Sequence, residues 1–168
     1  MAERNDYLRL DDAALLKQCH EERYRASGPG GQRRNKVETA SRLVHEPTGL
    51  IAHAEEARSS QENRARALRR LRERIALEVR APFDLDVPDQ PPEFVAQRGA
   101  GGALSVNKNN PKYPIVLATA LDALAAAGGR YAAAARALGL TTSQLLRFTK
   151  SDTHARRAIE ERRKAGLR

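Results

Sequence analysis

Three glycines and one proline occupy four consecutive positions, Gly28-Pro29-Gly30-Gly31, and Gln32 follows at once. Such a run cannot form a regular helix or strand. Glycine accepts backbone angles closed to other residues and leaves the main chain bare. Proline fixes one φ and lowers the entropy of the open loop. Gln32 ends the run with an uncharged amide that both donates and accepts hydrogen bonds. Whatever fold surrounds it must carry a loop that presents naked backbone N–H groups and one amide to a narrow site.

The remaining composition limits that fold. The 168 residues allow one ordinary domain or two small ones, and 30% are charged with no Trp. Mean hydropathy is −0.64, so the core is expected to be modest and aliphatic. The net charge of +9 is uneven. Residues 1–80 hold 17 Lys/Arg and 13 Asp/Glu, residues 81–112 hold 3 and 4, and residues 113–168 hold 10 and 4. Two basic blocks flanking a near-neutral connector point to a polyanionic partner, and the dominance of Arg favours phosphate. A single cysteine, Cys19, excludes an internal disulfide and a thiolate metal cluster. It is expected as a small buried residue. His20, His45, His53 and His154 are scattered, so no metal and no cofactor is predicted. No apolar run reaches membrane-spanning length and the first residues include acids, so a cytoplasmic protein without membrane contact is expected.

The patterning predicts an α+β fold. Asp11 or Asp12 caps a first helix expected to reach Glu21, followed by a strand over 22–27. Residues 33–39 are expected to form a short helix after the loop. Residues 40–45 and 50–54 flank Glu46-Pro47-Thr48-Gly49 and read as a hairpin, with His53 opposite Arg42. Ala65, Leu68, Leu71, Ile75 and Val79 form one stripe of a long helix capped by Ser59 or Ser60. A three-strand sheet crossed by this helix closes a first domain over 1–80. Residues 81–114 hold six of the eight prolines, so 81–112 reads as a Pro/Gly-rich linker. Residues 113–168 read as an all-α, helix-turn-helix-like module. There Ala135, Leu138, Gly139, Leu140, Leu145 and Phe148 supply the small, apolar and turn positions.

The loop, Asn35-Lys36, Arg42, Pro47-Thr48-Gly49, and Arg58-Ser59 with Asn63 occur in an order that resembles the catalytic domain of class I peptide chain release factors. It also resembles the short ribosome rescue factors that share this domain. The resemblance covers roughly residues 20–80. It implies that the glutamine loop enters the peptidyl transferase centre and triggers hydrolysis of the peptidyl-tRNA ester, a ribosome-dependent enzymatic activity. On that footing Gln32, Gly31 and Gly30 are the catalytic residues. The backbone N–H of Gln32 would face the developing oxyanion, and its side chain would place water. Gly28, Pro29, Asn35 and Lys36 support the loop. Arg25, Arg33, Arg34, Arg58, Arg64, Arg66, Arg69 and Arg70 are the candidate contacts to rRNA and tRNA. The resemblance also implies N-methylation of Gln32 by a glutamine methyltransferase. The expected partners are large-subunit rRNA and P-site peptidyl-tRNA.

The chain departs from the family pattern at several positions. Arg33-Arg34 stand where His-Val is frequent, Val37 where Thr is usual, Ser41 where an apolar residue is usual, and Ser60 where Gln often follows Arg-Ser. About twenty residues precede the match. The reading therefore expects no codon-reading domain upstream, and codon-independent ribosome rescue rather than termination at a stop codon. Two other classes compete with it. One is a non-catalytic ribosome- or RNA-binding protein. The other is a helix-turn-helix DNA regulator, for which Gln144, Arg147 and Lys150 offer little base readout. The partner of the helical module is left open.

Overall fold

The computed structural model describes residues 3–25, 38–99 and 101–164. The chain divides after Ile75 into two compact units.

Unit 1 opens with α1 (Arg4–Arg9) and α2 (Asp12–Leu16), and the Asp11 side chain caps α2 through Ala14 N at 2.7 Å. The sheet is antiparallel in the order β1 (Cys19–Tyr24), β2 (Ala40–His45), β3 (Ile51–Ala54). The first expected helix thus ends about five residues early, and the first strand begins three residues before its expected start. Cross-strand pairing claims the stretch 19–21 and overrides its neutral helix propensity. Arg42 lies opposite His53, as the hairpin pattern requires.

At the hairpin turn Gly49 has φ +69°, open to glycine at little cost. His45 is fully buried there. Its Nδ1 lies 2.7 Å from Thr48 Oγ1, its Nε2 lies 3.2 Å from Gln18 Oε1, and Tyr7 packs edge-on at 5.0 Å. Burial disfavours the charged form of the ring.

α3 (Ser60–Glu78) follows the sheet and begins with the Glu62 N–H donating to Ser59 Oγ at 3.4 Å. Its inward stripe is Asn63, Ala67, Leu68, Leu71 and Ile75. Ala65 is exposed and Ala67 takes the inward position; both are alanines, so composition did not separate them. Arg70 donates to His53 O at 2.6 Å, and Arg74 donates to Ile51 O. These carbonyls lie on the open edge of β3, so two arginines cover the edge where another strand could pair.

Unit 2 surrounds α5 (Tyr113–Ala126), in which every residue from Ile115 to Leu124 is buried. A helix that is apolar all round belongs inside. Around it lie α4 (Pro92–Val95), α6 (Tyr131–Ala137), α7 (Thr142–Ser151) and α8 (Thr153–Lys164). α5 ends in a glycine cap, with Gly129 N donating to Leu124 O at 2.8 Å. α6 and α7 are joined through Gly139, φ +66°, where an added Cβ would meet Arg98 Nη1. α7 starts with a reciprocal cap between Thr141 and Gln144. Asp152 caps α8 through Ala155 N at 2.9 Å.

The Pro/Gly-rich stretch gives this unit more than a connection. Phe94 is fully buried in its core. Gln90 Nε2 donates to Ala137 O at 2.8 Å and Arg98 Nη1 to Leu138 O at 3.3 Å, satisfying carbonyls at the end of α6. Among the described residues no helix is long and apolar enough to cross a membrane.

Burial lowers the His45 pKa from its ordinary 6.5, with Glu46 opposing. A lowered folded pKa gives stability that is present above the ordinary value and lost as pH falls through the folded one. Urea unfolding should therefore show stability falling as pH drops from about 7 to about 5, and His45→Gln should flatten that part of the profile.

Candidate functional site

β1 and β2 form the two arms of a hairpin-like stem. Tyr24 and Ala40 are register partners at its open end, which places their Cα atoms about 5 Å apart. Arg25 and Glu38 follow on the two arms and approach to 3.7 Å. Both are well exposed, so this ion pair closes the stem only weakly. Residues 26–37 connect the arms. Gly28, Pro29, Gly30, Gly31, Gln32, Arg33, Arg34, Asn35 and Lys36, together with most of the expected helix over 33–39, lie outside the described residues.

The stem is fixed from below by one side chain. Asn63 is fully buried on the first turn of α3. Its Nδ2 donates to Thr39 O at 2.7 Å and to Ala57 O at 2.9 Å, and its Oδ1 accepts from Ala57 N at 2.9 Å. One amide thus ties the arm leading into β2, the segment entering α3, and α3 itself. Thr39 is the residue immediately before β2. Sequence reasoning noted Asn63 as a motif position but gave it no role. A polar residue on an otherwise apolar helical stripe was the available signal, because such a residue must find partners when buried.

A second set of contacts fixes β1. Arg64 Nε donates to Glu21 Oε1 at 2.9 Å, and Ser41 Oγ donates to the same oxygen at 3.3 Å. Across the strands, Arg42 pairs with Glu22 at 2.8 Å. Tyr24 donates to Glu55 Oε2 at 3.2 Å, and burial followed by that bond raises its pKa. Glu21 is absent from the sequence-based candidates, although it organises the stem.

The candidate RNA-contacting arginines fall into two groups. Arg64, Arg66 and Arg70 are paired with Glu21, Glu62 and Glu56. The Arg70 guanidinium holds the Glu56 carboxyl down at about 2. Arg58 and Arg69 are exposed and make no ion pair among the described residues. The first group braces the fold and still presents partly exposed guanidinium groups, while the second is open to an incoming anion. Cys19 is only part-buried and sits on β1. Its Sγ contacts Leu15 O at 3.3 Å, and burial raises its pKa to about 11, so it is a poor nucleophile.

Residues 15–84 match the RF-1 domain. Similar curated proteins are peptide chain release factor 1 of Acidiphilium cryptum, 48% identical over 58 residues, which are 34% of this chain and 16% of that protein. The protein of the same name from Streptococcus thermophilus is 53% identical over 53 residues, 32% of this chain and 15% of its own length. That from Chloroherpeton thalassium is 40% identical over 70 residues, 42% and 18%. The chain therefore spans less than a fifth of the length of these relatives. No solved structure matches it.

Replacing Asn63 by Ala would strand Thr39 O and both Ala57 backbone groups. Each orphaned buried group costs about 1–3 kcal/mol. Asn63→Ala should lower stability in urea unfolding by on the order of 3 kcal/mol, and speed amide hydrogen exchange at the start of β2. Unchanged exchange there would show that the amide does not hold the stem.

Proposed function

We propose that this chain hydrolyses the ester of peptidyl-tRNA on the ribosome, and that these 168 residues do so without a stop codon. The observation that carries the reading is the RF-1 match over residues 15–84, which includes the Gly28–Gln32 run. The described stem supports it. Two paired strands and the Asn63 clamp give the connecting residues a fixed base. The activity is proposed for this domain, and codon independence is a separate part of the proposal.

The reaction adds water to the ester carbonyl carbon. The tetrahedral intermediate places negative charge on the former carbonyl oxygen, and the Gln32 N–H is proposed to donate to it. The bond from carbon to the tRNA ribose oxygen then breaks. That oxygen takes up a proton, and the products are a peptide carboxylate and a tRNA with a free hydroxyl. The side chain of Gln32 does not titrate in the working range, so its amide positions water while ribosome and tRNA groups carry the proton. Gly30 and Gly31 would let the backbone aim the N–H. Gly28, Pro29, Asn35 and Lys36 would hold the approach. Arg25, Arg33, Arg34, Arg58, Arg64, Arg66, Arg69 and Arg70 would contact rRNA and tRNA phosphates. Gln32 is also proposed as the site of N-methylation by a glutamine methyltransferase, readable by mass spectrometry.

The second reading is a ribosome-bound protein without hydrolytic activity. It is favoured by Arg33-Arg34, two cations directly after the glutamine, which suit RNA contact more than chemistry.

Removing one oxyanion donor typically costs 10²–10³ in rate. Gln32→Pro deletes the N–H and should slow single-turnover peptide release by about that factor, while ribosome co-sedimentation stays near parental. Gln32→Ala keeps the N–H and should lose less. Parental release rates in the proline variant would remove Gln32 from the catalytic role. Binding without release in the unsubstituted protein would favour the second reading.

A further inference from the structure

The helical part of unit 2, residues 113–168, carries unpaired cations that the catalytic reading leaves unused; the exposed acids Asp84, Asp86 and Asp89 of the same unit lie outside it, in the 81–112 stretch. Residues 113–168 hold four acids, and most of these are committed. Asp122 is buried against Arg80 at 2.9 Å and accepts from Ala81 N. Asp152 is buried, accepts from Tyr113 Oη at 2.6 Å, and lies 3.2 Å from Lys108 Nζ. Glu161 takes Arg157 at 2.8 Å. Glu160 is the one exposed acid of this set without an ion pair among the described residues.

The cations are in the opposite condition. Arg130, Arg136, Arg147, Lys150, Arg156 and Lys164 are exposed and make no ion pair among the described residues. On α7, Leu145, Phe148 and Thr149 face inward, and Ser143, Arg147 and Lys150 share the outward face at spacings of four and three. Residues 113–168 thus carry six exposed cations without ion partners among the described residues, and such charge attracts a polyanion.

The second helix of a helix-turn-helix is the element such folds lay against a nucleic-acid groove. α7 is poorly equipped to read bases there. The Gln144 amide already accepts from Thr141 N at 2.8 Å and reaches Gly101 O at 3.5 Å. Around it, Thr142, Ser143, Arg147 and Lys150 remain exposed. Hydroxyls and separated cations suit phosphate oxygens rather than bidentate base pairing.

We infer that the outward face of α7, together with the exposed Arg156 of the following helix α8, docks on the phosphate backbone of a double-stranded RNA helix. A-form RNA is recognised by shape and backbone rather than by base edges in its deep groove. The choice of RNA over DNA rests on the ribosomal reading above; the choice of phosphate backbone does not.

The test uses the full chain, an RNA duplex of about two helical turns, and a DNA duplex of the same sequence. The variant R147Q/K150Q/R156Q alters only exposed side chains. It should bind the RNA duplex about 10- to 100-fold more weakly and flatten the log–log salt slope by about 2–3. Glu160→Lys should tighten binding. Parental affinity and slope in the triple variant would overturn the surface, and tighter binding of DNA than RNA would overturn the RNA assignment. The readout is independent of hydrolysis. If the parent binds duplex RNA through this face but releases no peptide, the catalytic proposal fails and this one stands.

Discussion

One buried amide holds the arm that leads into β2. Asn63 makes three short hydrogen bonds to backbone atoms of Thr39 and Ala57, so its polarity is fully satisfied without water. A buried polar group of this kind is costly unless every bond is made, which makes the arrangement all-or-none. It couples the first turn of α3 to the arm that enters β2. The same helix buries Leu68, Leu71 and Ile75, so its core face and the arm entering β2 are linked through Asn63. A catalytic loop of bare backbone needs a fixed base, because it has few side chains with which to position itself.

The arginines that make the chain basic divide their work. Arg70 and Arg74 bond the outer carbonyls of β3, and Arg72 donates to Leu10 O at 2.8 Å and to Asp12 at 2.7 Å. These guanidinium groups close the sheet edge and attach the N-terminal helices. Arg58 and Arg69 remain open. A helix dense in arginine therefore reads as a nucleic-acid surface from composition and as partly structural from geometry. Arginine suits both roles because its planar fork bonds carbonyls, carboxylates and phosphates alike.

The hairpin over 40–54, the arginine helix and the three last helices were legible from local signals: a Pro-Thr-Gly turn, apolar spacing, and Ser, Thr, Asp and Gly at helix ends. The extent of the first helix was not, because pairing with β2 decides the fate of Cys19 to Glu21 and that partner is distant in sequence. α1 and α4 also went unseen, being six and four residues long and too short to show a period. Proline content at 81–112 predicts irregular backbone. It carries no information on where an isolated aromatic will anchor, and Phe94 anchors in the core of unit 2. The Gly28–Gln32 run, which the sequence singles out for the candidate site, lies outside the described residues. The support of the site was not legible, because the roles of Glu21 and Asn63 emerge only once β1, β2 and α3 are assembled.

The central claim is that water, aimed from this loop, cleaves peptidyl-tRNA. It is tested most directly by single-turnover release in water labelled with heavy oxygen. The full chain would be added to ribosomes holding P-site peptidyl-tRNA and no codon in the A site. The account predicts free peptide with one labelled oxygen in its new carboxylate and an unlabelled tRNA. Peptide that stays esterified to tRNA while the protein co-sediments with the ribosome would contradict it.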